Sequence, residues 1–400
     1  MKLIIIADAF PPMRTSAAVH MNELALELVR QGHKVTVIIP TASINTSLTV
    51  EDLNGFRLVS VATPKTKDVS YVMRTIAEFI SPYVIYHRLS SSSIINESFE
   101  GIIWYSPTIF FAPLISRLKV RYGCPAYLVL RDMFPDWAVD LGIMKKHLPY
   151  YFFKLVEFYQ YKVASYIGIQ APGNFKYFNS NFLKKFKSKV ELLWTWVTPT
   201  SLHVSCSIDL SKTELAGRVN FVYAGNMGIA QDFDLIMSLI TLFNERSDIG
   251  FVFVGRGSEV GHLKAVSAER ALRNVVFFDE IDSAEIPALY AQCSIGLVAL
   301  DPRHKSHNIP GKFLSYMESG LPALSRLNSG NDLVEIISAN QVGASYIGSN
   351  AGEFQTVANR LIEMLQRDPN MPNRCKNLAH TMFSTENAAK QIISALKHGH

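Results

Sequence analysis

With 400 residues, the chain is long enough for two to three domains rather than one small module. Apolar residues at 48% and charged residues at 18% exclude intrinsic disorder and fibrous repeats. The net charge of +5 is unevenly placed: residues 1–197 hold 22 Lys and Arg against 14 Asp and Glu, and the remainder holds 17 against 20.

The mean hydropathy of +0.13 is high, yet no uninterrupted apolar run reaches the roughly 18 residues of a spanning helix. Ile102–Ile115 is too short and contains Pro107 and Pro113. Met1–Ile6 lacks signal-peptide anatomy, and Cys124, Cys206, Cys293 and Cys375 are too scattered for a zinc knuckle or a disulfide framework. These features predict a cytoplasmic chain without a membrane span.

The chain opens on an apolar run, Lys2–Ile6, of the kind buried on both faces of a parallel sheet. Ala18–Arg30 has helical spacing and stops at Gly32, and Val35–Ile39 is the next buried strand. This β-α-β unit predicts a right-handed crossover and a doubly wound sheet, continued by strands at Phe56–Val61, Gly101–Tyr105, Ala126–Arg131 and Ser165–Gln170. Within this half, Ile143–Val190 carries nine lysines, a single acid (Glu157) and thirteen Phe and Tyr. Basic residues interleaved with aromatics suit an anionic membrane face. Single-stranded nucleic acid would suit them too, and a solvated helix face over an aromatic core is the plain structural alternative.

The second half repeats the logic. Strands are predicted at Asn220–Ala224, Gly250–Val254, Val275–Phe278, Ile295–Ala299, Ala323–Ser325 and Ala344–Ile347. Helices begin near Asp232, Ser258, Ser283, Gly311, Asn331 and Gly352, and a last amphipathic helix covers Glu386–Lys397. The expected architecture is α/β, with two facing Rossmann-like domains across a cleft. A first domain over 1–197 is joined to a second over 203–375, and C-terminal helices over 376–400 pack back on the first.

Ligands of such sheets bind beyond the carboxyl ends of the strands, so the loops there are the candidates for chemistry. After the first strand, small residues lead into a helix N-terminus, with Arg14, Thr15, Ser16 and His20 as candidate substrate contacts. No GxGxxG is present, which disfavours a nicotinamide dehydrogenase. Arg131, Asp132, Asp136 and Trp137 follow another strand, and acids beside aromatic rings suit sugar recognition. In the second half, Gly225, Asn226 and Gly228 form a turn through which backbone N–H groups can approach a phosphate. Asp232 and Asp234 imitate a metal-binding Asp-x-Asp pair, but acids at a helix start are favoured there without a metal, so no metal site is predicted. Arg256, between two glycines, suits a diphosphate, and Asp279 follows the next strand. The segment Asp301–Lys312 gathers basic and imidazole groups before a helix starting through Pro310 and Gly311; Lys312 falls in its first turn.

The segments FVYAGNMGIAQ, VFVGRGSE, IPALYAQCSIGLVAL and NIPGKFLSYMESGLP, with FPP…ELALELVRQGHKVTVI and RDMFPDWAVDLG, resemble glycosyltransferases of the GT-B fold, family 4. Among these, the bacterial N-acetyl-L-fucosamine transferases of O-antigen and capsule assembly come nearest. The resemblance implies a retaining transfer without a required metal. The donor is a nucleotide sugar, UDP-linked, on the second domain, at Gly225, Asn226, Gly228, Arg256, Asp279, His307, Asn308, Pro310, Gly311, Lys312 and Ser315. The acceptor, a polyprenyl-diphosphate-linked sugar, lies on the first domain at the residues named above, with Asp132, Lys312 and Arg256 as the catalytic groups. The family's Glu-x7-Glu pair falls at His307 and Ser315, so neither acid is present, and Asn226 and Gln231 stand where Arg and Lys are usual. The implied location is the inner face of the bacterial plasma membrane, peripherally bound, with no nucleic acid as partner. A GT-B sugar-nucleotide 2-epimerase is the alternative enzyme; it would need paired acid/base groups and no membrane.

Overall fold

The computed structural model describes residues 1–13, 15–106, 108–140, 142–199, 204–228, 231, 233–300 and 309–398. The chain divides into two compact units. One comprises Met1–Trp196 with the segment from Thr385 onward, and the other comprises Val197–Ser384.

The first unit holds strands β1 (Lys2–Ile6), β2 (Lys34–Thr41), β3 (Leu48–Leu53), β4 (Phe56–Ala62), β5 (Gly101–Ser106), β6 (Ala126–Leu130), β7 (Tyr166–Ile169) and β8 (Val190–Leu192). They form one sheet in the order β3-β4-β2-β1-β5-β6-β7-β8, parallel except for the β3–β4 pair. Its helices are α1 (Ser16–Arg30), α2 (Tyr71–Ser90), α3 (Ala112–Tyr122), α4 (Asp136–Asp140) and α5 (Leu148–Val163). The central strands are buried on both faces, as their continuous apolar runs require.

Several elements, β3 and α2 among them, are additional to those expected from the sequence. Edge strand β3 returns antiparallel through Asn54–Gly55, both at positive φ, which is the two-residue turn that matches sheet twist. Helix α2 buries Ala77, Ser81, Ile85 and Leu89 on one face while leaving large apolar side chains on the other exposed. A helix apolar on most sides shows no clear period in sequence.

The second unit holds β9 (Val219–Ala224), β10 (Ile249–Val254), β11 (Val275–Phe278), β12 (Ile295–Ala299), β13 (Ala323–Arg326) and β14 (Gly343–Tyr346), all parallel in the order β11-β10-β9-β12-β13-β14. Helices α6 (Asp234–Leu242), α7 (Val260–Glu269), α8 (Ile286–Tyr290), α9 (Gly311–Glu318), α10 (Leu333–Asn340), α11 (Ala351–Arg367) and α12 (Met371–Met382) accompany it. Tyr316 of α9 is fully buried and its hydroxyl donates to the carbonyls of Val222 and Leu297, which ties α9 to the two central strands.

Helix α12 packs on α9 within the second unit, so the return to the first unit begins at Thr385 rather than at residue 376. The last helix, α13 (Thr385–His398), packs against α1. It buries Ala389, Ile392 and Leu396 in one cluster with Leu3, Ile5 and Met21. Among the described residues, no helix is long and apolar enough to cross a membrane.

Candidate functional sites on the two units

In each sheet the connection direction reverses at one point, between β1 and β5 in the first unit and between β9 and β12 in the second. Crevices at such points are where doubly wound sheets bind ligands.

At the second switch point, the loops after β9 and β10 lie backbone against backbone. A Cβ on Gly255 would stand 2.2 Å from the Gly225 carbonyl oxygen, and one on Gly257 would stand 2.1 Å from that of Met227. Both glycines also have φ in the left-handed region, so no other residue fits. The Met227 N–H donates to the Arg256 carbonyl (2.7 Å) and the Glu259 N–H to that of Met227 (3.0 Å), which holds the paired loops. Lys312, in the first turn of α9, reaches back over this platform. Its Nζ lies 4.6 Å from the ring centre of Tyr223, and it stands 3.2 Å from where a Cβ on Gly225 would be. Burial pushes its ammonium down to about 8. The cation rests on an aromatic face and on glycine, and an anion brought there would restore its charge.

The other predicted donor contacts are placed less centrally. Arg256 follows β10 as expected, but its side chain is 71% exposed and its Nε lies 3.3 Å from Glu280. Asn226 and Asp279 are exposed. The Gly228 N–H donates to Gln231 Oε1 (2.8 Å), and the Ser315 hydroxyl donates to the Gly311 carbonyl (3.2 Å) within α9. Pro310 occupies the cap of α9 and Gly311 its first position. His307 and Asn308 lie outside the described residues, as does the rest of Asp301–Ser306. Asp232 also lies outside them, while Asp234 opens α6 with His262 at 3.8 Å.

At the first switch point, His20 of α1, Tyr105 of β5 and Arg131 after β6 converge. The Arg131 guanidinium donates to the Tyr105 hydroxyl at 2.9 Å and stands 3.4 Å from His20 Nδ1. Burial, aided by the Arg131 charge, pushes the His20 imidazole down to about 3. The ring is therefore neutral near pH 7 and accepts from Arg131. The Trp196 ring lies 5.5 Å from the His20 ring, and its Nε1 donates to the His20 backbone carbonyl at 3.2 Å.

Asp8, just past the end of β1, belongs with this group, although no expectation from the sequence covers it. Its Oδ1 is wholly buried and without a hydrogen-bond partner. Burial, and then the charge of Glu78, raise its carboxyl to about 6. Glu78 itself is taken up by Arg74 (2.7 Å) and Thr108 (3.0 Å). An acid placed directly after the first buried strand of a doubly wound sheet was the available signal.

Among the predicted acceptor contacts, Thr15 caps α1, accepting from the Ala18 N–H, and Ser16 is that helix's exposed first residue. Arg14 lies outside the described residues. Asp132 is half-buried beside Arg131, and Trp137 stacks obliquely on Phe134 at 6.1 Å. Asp136 has a different occupation from the one expected. Its carboxylate accepts from Tyr150 (2.7 Å), Lys154 (2.9 Å) and Tyr177, and these bonds and the Lys154 charge hold it below the usual carboxylate range despite burial. Lys154 also pairs at 2.5 Å with Glu157, which is completely buried. This network anchors α4 to α5.

The basic window is likewise partly structural. Lys154 belongs to the network just described, and Lys189 Nζ donates to the carbonyls of Lys162 (3.1 Å) and Ala164 at the end of α5. Lys185 lies over the ring of Phe158 at 3.9 Å.

No family model matches the chain. A curated relative, the probable glycosyltransferase WbjE of Pseudomonas aeruginosa, is 21% identical over 358 residues, 86% of this chain and 84% of that one. Among solved structures, Anabaena HepE in complex with UDP superimposes with a TM-score of 0.67 at 12% identity, over 100% of both chains. WaaG, a glycosyltransferase involved in lipopolysaccharide biosynthesis, superimposes with a TM-score of 0.63 at 14% identity, over 98% of this chain and 99% of that one. The chain has the GT-B fold, two Rossmann-like units with C-terminal helices.

Proposed function

We propose that this protein is a retaining glycosyltransferase that takes a nucleoside-diphosphate sugar, UDP-linked, on its second unit. The observation that carries the reading is Lys312, a buried cation laid on Tyr223 and Gly225 at a topological switch point. The complex of HepE with UDP supports the choice of nucleotide. As the glycosidic bond breaks, negative charge grows on the departing diphosphate. Lys312 and the N–H groups that open α9 stabilise it, with Gly225 allowing close approach, and such fixed dipoles and charges usually contribute more to catalysis than any other single effect. Arg256 joins them when it leaves Glu280. His307, Asn308 and Asp279 belong to the donor side, with Asn226 and Ser315.

The acceptor side is the first switch point, with His20, Arg131 and Asp132, and Arg14, Thr15, Ser16 and Trp137 near it in sequence. Asp132 orients the attacking hydroxyl or takes its proton. The donor sugar is N-acetyl-L-fucosamine or a related hexosamine. The acceptor is a polyprenyl-diphosphate-linked sugar in the assembly of O-antigen or capsule repeats, met at the cytoplasmic face of the membrane. The likeness to WbjE, a probable glycosyltransferase, and to WaaG, one involved in lipopolysaccharide biosynthesis, supports a sugar transfer in polysaccharide synthesis.

The test is incubation with a labelled UDP-N-acetylhexosamine and polyprenyl-diphosphate-linked N-acetylglucosamine. Label is expected in the lipid extract, with UDP released in equal amount. An epimerised sugar nucleotide or free epimer without lipid product would overturn the reading in favour of an epimerase.

With Asp234 assigned to opening α6, transfer is expected to persist in excess chelator. Loss of turnover on chelation, restored by magnesium or manganese, would reassign Asp232 and Asp234 to a metal.

A further inference from the structure

The unexplained feature of the first unit is the outer face of α2. Val72, Ile76, Phe79, Ile80 and Tyr83 recur at helical spacing and all are exposed, and Tyr71 at the helix start is 83% exposed. From Val72 to Tyr83 this stripe runs about 16 Å along the helix. Helix α5 carries a second stripe, Leu148, Tyr151, Phe152 and Leu155, of which Leu148 is 85% exposed. The stripes touch: the rings of Phe79 and Phe152 are 6.3 Å apart, and both pack near Phe110. Single exposed apolar residues are ordinary, but two joined helical stripes form a contiguous patch of the kind that marks an interaction surface.

We propose that the outer faces of α2 and the N-terminal half of α5 form a two-helix surface that docks on an anionic lipid bilayer. The charges around it choose the occupant. Exposed Lys65 and Lys67 precede α2, with exposed Asp68 3.7 Å from Lys65, and exposed Lys145 and Lys146 precede α5, with exposed Asp140 ahead of them, so lysines outnumber acids around the patch. On the helices, both acids are engaged: Glu78 with Arg74 and Thr108, and buried Glu157 with Lys154. A second copy of this chain would bring the same cationic rim against itself. Apolar side chains below a lysine rim suit acyl chains beneath anionic headgroups. This places the anchor ahead of the basic run at 184–189, where Lys189 is spent on capping α5 and Lys185 covers Phe158. The docking surface stands on these observations alone; only its use, to bring a lipid-linked acceptor to Asp8 and Arg131, rests on the proposed sugar transfer.

The test is flotation with vesicles of phosphatidylglycerol and phosphatidylethanolamine (1:3), against phosphatidylcholine alone, at low and at high salt. Three proteins are compared: wild type, V72S/I76S/F79S/I80S, and K184E/K185E/K187E, with L148S/L155S held in reserve if the first variant fails to fold by circular dichroism. Wild type is expected to float with the anionic vesicles and to remain partly bound in high salt. The α2 variant is expected to lose at least 10-fold in bound fraction, and the 184–187 variant less than 3-fold. Wild type that stays at the bottom, or an α2 variant that floats like wild type, would overturn the proposal. So would a wild-type dimer that the α2 variant breaks while floating unchanged. A wild type that floats but transfers no sugar would leave the docking surface standing and remove the proposed function.

Discussion

Lys312→Ala is expected to lower turnover by about 10²-fold or more, the scale of losing one preorganised charge donor to a developing anion. The loss should appear in kcat and in kcat/KM for the donor alike, because the contact strengthens as the diphosphate departs. The wild type should also show an alkaline limb in kcat/KM near pH 8, where the free enzyme's ammonium loses its proton, and Lys312→Met should lack it. Stability runs the other way. The folded protein holds this group's pKa below its unfolded value, so between about pH 8 and the ordinary lysine range the unfolded chain binds more protons and stability rises with pH. Lys312→Met should therefore melt at or above wild type at pH 7, with the difference shrinking above pH 8. A folded Lys312→Ala enzyme with near-wild-type turnover would contradict the assignment.

Asp8→Asn is expected to cost about 10²-fold in kcat/KM for the acceptor while leaving UDP binding unchanged, the scale of removing a proton acceptor or its hydrogen bond. The reason is its position: a carboxylate past the end of β1, one oxygen buried and unpartnered, beside the His20, Tyr105 and Arg131 group. Wild type should lose acceptor turnover as pH falls through about 6, and Asp8→Asn should flatten that limb. Between the usual carboxylate range and pH 6 the folded state binds the extra proton, so this group subtracts stability as pH rises through that window. Asp8→Asn should consequently melt no lower than wild type at pH 7, which separates a lost contact from unfolding. An unchanged acid limb in the variant would remove Asp8 from the acceptor site.

Most strands of both sheets were legible because a parallel strand buried on both faces must be an uninterrupted apolar run, as residues 3–6 of β1 and Ile295–Ala299 are. The edge strand Leu48–Leu53 escaped because half its residues face water, although Asn54–Gly55 carried the hairpin signal. Helix α2 escaped because its two apolar faces cancel the period on which helix reading depends. At the candidate sites, the close backbone approach at Gly225 and the cation of Lys312 at a helix start were legible in a local window, whereas the tight packing of Gly255 and Gly257 on the neighbouring loop was not expected. Asp8 was marked only by its place after the first buried strand; its buried oxygen and its neighbours come from β1, β5 and β6 ending side by side.

Local order along the chain thus decided the alternation of strands and helices, the two-unit organisation and which loops leave the carboxyl ends of the strands, since these depend on neighbours within one or two turns or strands. Tertiary structure alone decided which charges remain available. It committed Asp136, Lys154 and Glu157 to a buried network, and it spent Lys189 on the carbonyls that end α5. It turned Arg256 toward Glu280 and left Lys312 against an aromatic ring. The physical reason is that a side chain's charge, exposure and partners are set by residues distant in sequence, through burial and Coulomb interactions that no local pattern contains.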